Sequence, residues 1–220
     1  MRIRTTEQLV DAMSAEISWR RKELTDLRYL VQQAVGHTRQ RVMTRAGVAL
    51  LYAHWEGFIK AAAEIYLEFV CMQRCKNSEL AASMLAIMVR SKLHAAHASK
   101  KIAAHLELVD FFREQMEERS TLPHKNVIRT DANVSSTVLL EILGTLGLDS
   151  DQYEAKAHMI DNQLLAKRNH IAHGSDLDVD GNDYLRLHEE MLSLMDLLRN
   201  QIENAAIMKQ YLAPVIPIVR

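Results

Sequence analysis

The chain carries 27 Lys/Arg against 28 Asp/Glu over 220 residues, so its net charge of -1 does not by itself mark a nucleic-acid binder. With 48% apolar and 25% charged residues the composition is that of an ordinary soluble globular protein, and one domain spanning 1–220 is expected. The opening residues lack an apolar leader, no uncharged run approaches membrane-spanning length, and Cys71 and Cys75 offer no disulfide framework; a cytoplasmic protein without membrane contact is expected.

Only seven glycines and three prolines punctuate the chain, which favours long helices. Thr5 and Gln8 have the spacing of a capping box, so a first helix runs to about Ala34, with Gly36 positioned to end it. Arg20-Arg21-Lys22 interrupts it with a basic cluster that suits a solvated face or a phosphate contact. A second helix, about 38 to 72, is the longest and belongs at the centre of the bundle. Val48, Leu51, Trp55, Phe58, Ala62, Ile65 and Phe69 form one apolar seam along it. Ala49, Tyr52, Ile59, Ala63, Tyr66 and Val70 form a second, so this helix meets more than one neighbour. Glu56 is the polar step in the second seam. It can pair with Lys60 one turn on, or it can support an Arg or His brought in from elsewhere.

Asn77-Ser78 reads as the start of a short helix ending near Val89, followed by another over about 92–118. Residues 119–134 hold Pro123, Asn126, Asp131 and Asn133 with little periodicity and read as the longest loop. Ser135-Ser136 starts a helix that Gly144 and Gly147 end, a further helix begins near Asp151, and the last runs from about 183 to 210. No strand pattern stands out. The expected fold is all-α, a bundle of six or seven helices with a long central hairpin.

Two patterns imitate metal sites. Asp176, Asp178, Asp180 and Gly181 match the start of a calcium loop, but the position that must supply a bidentate carboxylate is Leu187; a polar turn with Asn182 or Asp183 capping the last helix is the simpler account. Cys71, Cys75, His94 and His97 have zinc-ligand chemistry without the spacing of a zinc module. No phosphate-binding glycine loop or nucleophile elbow is present. Neither a metal nor a cofactor is called for.

The helix starting near Asp151 holds the most informative stretch. Tyr153, Ala157, Ile160, Leu164 and Ile171 lie on one face, and the next step along it falls on Lys167-Arg168. A guanidinium there must be paired or line a cavity. Gly174 ends the helix near Ala172 or His173. Five residues of continuous helix would set Arg168 and His173 about 140° apart, so ending at His173 frees the imidazole to turn toward Arg168. Asn169, four residues before His173, is placed to hydrogen-bond and orient it. Charge is uneven, with nine Lys/Arg against five Asp/Glu in 1–50 but five against thirteen in 131–200, so the stretch lies in the acidic part of the chain.

Arg, His and an amide suit metal-independent cleavage of RNA. The 2′-OH must lose a proton and the leaving 5′-oxygen must gain one, and an imidazole serves either step. A planar guanidinium stabilises the extra charge on the phosphorane.

Arg168-Asn169-His170-Ile171-Ala172-His173-Gly174 resembles the R-x4-6-H motif of the HEPN superfamily, and Leu51-Tyr-Ala-His-Trp-Glu-Gly-Phe-Ile-Lys60 resembles the second helix of its MAE-type branch. The resemblance implies a homodimeric ribonuclease of a toxin–antitoxin, phage-defence or RNA-processing system, with two motifs facing across a cleft and an antitoxin or defence protein as a further partner. It assigns catalysis to Arg168, His173 and Asn169, with Glu56 and His170 as candidates for support. HEPN toxins silenced by a nucleotidyltransferase antitoxin carry Tyr two residues after the motif His; Ser175 stands there, which argues against that partner. The alternative is a non-catalytic HEPN-like module that binds a protein or nucleotide.

Overall fold

The computed structural model describes residues 2–98, 101–130 and 133–214. Eight α-helices account for most of them: α1 (Thr6–Ala34), α2 (Gln40–Gln73), α3 (Ala82–Ala98), α4 (Ile102–Glu114), α5 (Ser136–Leu146), α6 (Asp151–Glu154), α7 (Ala166–Ala172) and α8 (Gly181–Ile207). A π-helical segment, Met159–Leu165, leads into α7. No β-strand occurs among the described residues, and none of their helices is long and apolar enough to cross a membrane. The protein is all-α.

The expected hairpin is α1 with α2, and α8 closes it into a three-helix core. The Thr5–Gln8 capping box forms as its spacing requires, and Gly36 takes a left-handed φ of 77° just past α1. Both seams of α2 are used. Leu51, Trp55 and Phe58 are fully buried in one, and Tyr52, Ile59 and Tyr66 in the other. The Arg20-Arg21-Lys22 cluster is largely spent within the fold, Arg20 on Glu16 and Arg21 on Asp196 of α8.

Gly47 and Gly57 on α2 permit close approaches. A Cβ on Gly57 would lie 2.8 Å from Nη1 of Arg20, whose guanidinium is stacked on Trp19. A Cβ on Gly47 would lie 2.7 Å from the ring of Tyr184, which is fully buried on α8. Gly47→Ala therefore overpacks the α2–α8 contact. Its expected cost is about 2 kcal/mol, lowering Tm by roughly 6 °C at this chain length; a thermal melt matching wild type would contradict this packing.

Several boundaries differ from the sequence reading. The break expected near 90 falls after Ala98, because 89–98 contains no breaker and its alanines favour continuation. Asn77 caps no α-helix: it opens a 3-10 turn and its Nδ2 donates to Gln115 O at 2.9 Å, spending the amide on a tertiary contact. The cap of α8 is Asp180, which accepts from the backbone of Asn182 and Asp183, so the helix starts two residues early. The single helix expected from Asp151 is split into α6, the π segment and α7, which raises the helix number to eight among the described residues. Buried neighbours Met159 and Ile160 sit in that π segment, and Asp161 there accepts from Ser136 N at 2.7 Å and Ser136 Oγ at 2.5 Å at the start of α5.

The connection from α4 to α5 is laid as a strap along α2. Asn126 N donates to Glu64 Oε1 at 3.5 Å, Thr130 Oγ1 to Glu56 Oε1 at 3.0 Å, and Val134 N to the Tyr52 hydroxyl at 2.7 Å. It thus runs antiparallel to α2 and delivers its end to the middle of that helix.

Candidate active site

Arg168 is half-buried on α7, one turn after the π segment. Each i→i+5 turn takes in one residue more than an α turn, so the face bearing Arg168 is rotated away from its phase in an unbroken α-helix. Its guanidinium lies 4.2 Å from the centre of the Tyr52 ring on α2 rather than in the core. Nη1 donates to Oδ1 of Asn169 and to Oδ1 of Asn133 on the strap, both at 2.8 Å. No carboxylate among the described residues pairs with it. Stacking and two neutral acceptors hold the cation in place, and none of the described residues neutralises its charge.

Tyr52 builds this platform. It is 1% exposed, and its hydroxyl accepts from Val134 N, which fixes the strap beside Asn133. Burial pushes the phenol up to about 12, so it stays protonated, and a hydrogen bond joins it to the Glu56 carboxylate. Burial also acts to raise the Glu56 carboxyl, but hydrogen bonds from Lys60 and Thr130 outweigh it and hold the group below the usual carboxylate value. Glu56 is therefore charged. Of its two sequence readings, the Lys60 pair is present, with Nζ to Oε1 at 2.7 Å. Glu56 touches neither Arg168 nor His173 and reaches the site only through Tyr52 and Thr130.

His173 is the exposed C-cap of α7, with φ -87° and ψ 10°, and Gly174 follows at φ 73°. Its ring makes no hydrogen bond to any described residue of its own chain. The orienting bond expected from Asn169 does not form; that amide faces Arg168, since a charged donor outcompetes a neutral one for the same oxygen. His170 is likewise exposed, its side chain makes no hydrogen bond to a described residue, and its carbonyl accepts from Ser175 N at 2.9 Å. What fixes the turn after His173 is Arg45 of α2, whose Nη1 donates to Ser175 O at 2.9 Å and Leu177 O at 2.8 Å, with Arg41 paired to Asp176 beside it. Asp176 and Asp180 thereby have structural partners of their own within the calcium-loop look-alike.

Tyr52, Asn133, Arg45 and Arg41 escaped the sequence reading as site residues. Tyr52 stood out as a member of an apolar seam and of the Leu51–Lys60 stretch, with no role at the site. Asn133 lies in an aperiodic loop, and nothing local marks which loop residue will meet α7.

A family model described as RiboL-PSP-HEPN matches residues 15–204, nearly the whole chain. The chain belongs to the RiboL-PSP-HEPN family. The HEPN membership expected from residues 164–174 is thereby shown, while nothing in the match speaks for the MAE-type branch. No curated protein and no solved structure matches this RiboL-PSP-HEPN chain significantly. The matched span takes in the Tyr52 platform, the strap and the whole of α7.

A hydroxyl deletion tests the platform. Tyr52→Phe keeps the ring beneath Arg168 but leaves Val134 N–H buried without an acceptor, a cost of about 1–3 kcal/mol. The expected result is a lower Tm as the strap at Asn133 loosens. Glu56→Gln, which retains an oxygen for Thr130 and Tyr52, should do less. Equal effects from both would contradict this order.

Proposed function

We propose that this RiboL-PSP-HEPN protein is a metal-independent endoribonuclease, acting as a toxin or phage-defence effector, with Arg168 and His173 as its catalytic residues. One observation carries the reading: a guanidinium held on an aromatic face by two amide oxygens, with no carboxylate among the described residues to neutralise it. Among the described residues only Nη1 is engaged, which leaves Nε and Nη2 as donors for two oxygens of a phosphate. The RiboL-PSP label of the family is in keeping with this substrate.

Two copies of α7 facing each other across a twofold axis complete the proposed site. The exposed imidazole, without an orienting partner among the described residues of its own chain, is then supplied to the guanidinium of the partner. His173 moves the proton between the 2′-OH and the leaving 5′-oxygen, Arg168 stabilises the phosphorane, and Asn169 with Asn133 keeps the guanidinium in its plane. The substrate's own 2′-OH is the nucleophile.

A matched pair of single-stranded oligonucleotides tests this. In EDTA the RNA is cut and a DNA of the same sequence stays intact. Cleavage of both at similar rates would remove the 2′-OH route, and cleavage of neither would favour the non-catalytic module.

A further inference from the structure

Four cations surround a cleft of about 790 Å³ at the C-terminal end of α2: Arg2 and Arg4 from the segment before α1, Arg74 just past α2, and Lys125 from the strap. His124 adds an imidazole, and among the described residues no Asp or Glu lines the cleft. None of the four cations forms an ion pair with a described residue, whereas Arg20, Arg21, Arg28 and Arg41 all do. Like charges gathered without counter-charge oppose folding, so such a cluster calls for an anion.

A second feature points the same way. Ser120 also lines the cleft, is only 5% exposed, and its Oγ has no hydrogen-bond partner. A buried hydroxyl left unpaired is a donor in want of an acceptor. The cleft wall is built, not frayed. Ile3 is buried between Arg2 and Arg4, its N–H donates to Glu68 Oε1 at 3.4 Å, and Gln73 Nε2 donates to Arg4 O at 3.1 Å.

Twenty residues of α2 separate Tyr52 from Met72 at the cleft, which is about 30 Å at 1.5 Å per residue. The strap leaves the cleft at Ser120–Lys125 and reaches Asn133 beside Arg168, so both sites lie on one flank of α2. We propose that the cleft is an exosite that grips the phosphodiester backbone of a single-stranded RNA whose scissile linkage lies at Arg168. The proposal rests on the nuclease reading. Several cations around an open cleft suit successive phosphates of a strand better than one free phosphate, and the span corresponds to roughly nine stacked nucleotides at about 3.4 Å each.

The test is equilibrium binding of a 16-nucleotide 2′-O-methyl RNA, which cannot be cut, to the full chain over a salt series. Arg4→Gln/Arg74→Gln should weaken binding about tenfold and flatten the log K versus log salt slope by about 1.4, or about 0.7 per lost phosphate contact. Lys125→Gln, on a different segment, should give about half that slope change. Unchanged affinity in the double and Lys125 variants overturns the exosite even if wild type cuts RNA. If wild type cuts no RNA, the nuclease reading falls while the binding series still reads the cleft. Displacement of the RNA by micromolar inorganic phosphate would make the cleft a small-anion site and overturn the assignment to a strand.

Discussion

His173→Ala and Arg168→Ala are each expected to lower the proposed RNA cleavage roughly a thousandfold, within the range for losing a general acid–base or a charge-stabilising donor. The two substitutions act on different parts of the structure, and this makes the pair informative. His173 is exposed and its ring forms no hydrogen bond, ion pair or ring contact with a described residue of its own chain, so its removal should leave helical content and Tm unchanged. Arg168 stacks on Tyr52 and holds two amides, so its removal also costs a little stability. Arg168→Lys separates charge from geometry: an ammonium keeps the charge but cannot present two parallel N–H donors, and most of the activity is lost. Activity within twofold of wild type for Arg168→Lys would show that charge alone suffices.

A heterodimer of one Arg168→Ala chain and one His173→Ala chain is expected to cleave RNA at about half the wild-type rate, with each homodimeric variant inactive. This follows from the proposed facing arrangement. One composite site then combines the intact Arg168 of one chain with the intact His173 of the other, and the second site has neither. If each chain instead used its own pair, the heterodimer would hold no complete site and would be as inactive as the parents. Co-expression with two affinity tags isolates the mixed species, and the cleavage assay distinguishes the two cases directly. A wild-type chain that stays monomeric and fully active at assay concentration would also remove the shared site.

The long helices were legible because their signals are local and periodic. The two seams of α2 and the capping box of α1 follow from spacing alone, and the HEPN motif could be placed on the C-terminal turn of α7. The support of Arg168 was not legible, because it is tertiary. Asn133 is 35 residues from Arg168 in the chain and is delivered by a strap whose path depends on three side chains of α2. The π segment hid for a related reason: it interrupts an apolar pattern that already fits an α-helix, and one inserted residue shifts the phase without leaving a compositional mark. Asn169 was expected to hydrogen-bond His173, and its amide oxygen instead accepts from Arg168. Spacing of four residues favoured His173, whereas the adjacent guanidinium takes the amide oxygen.

The end groups left on RNA cut in EDTA test the central claim most directly. Wild-type protein leaves a 2′,3′-cyclic phosphate on the upstream fragment and a 5′-hydroxyl on the downstream one, and His173→Ala, prepared in parallel, leaves neither above background. A 3′-hydroxyl with a 5′-phosphate, or equal amounts of product from wild type and His173→Ala, would contradict catalysis by the Arg168–His173 pair.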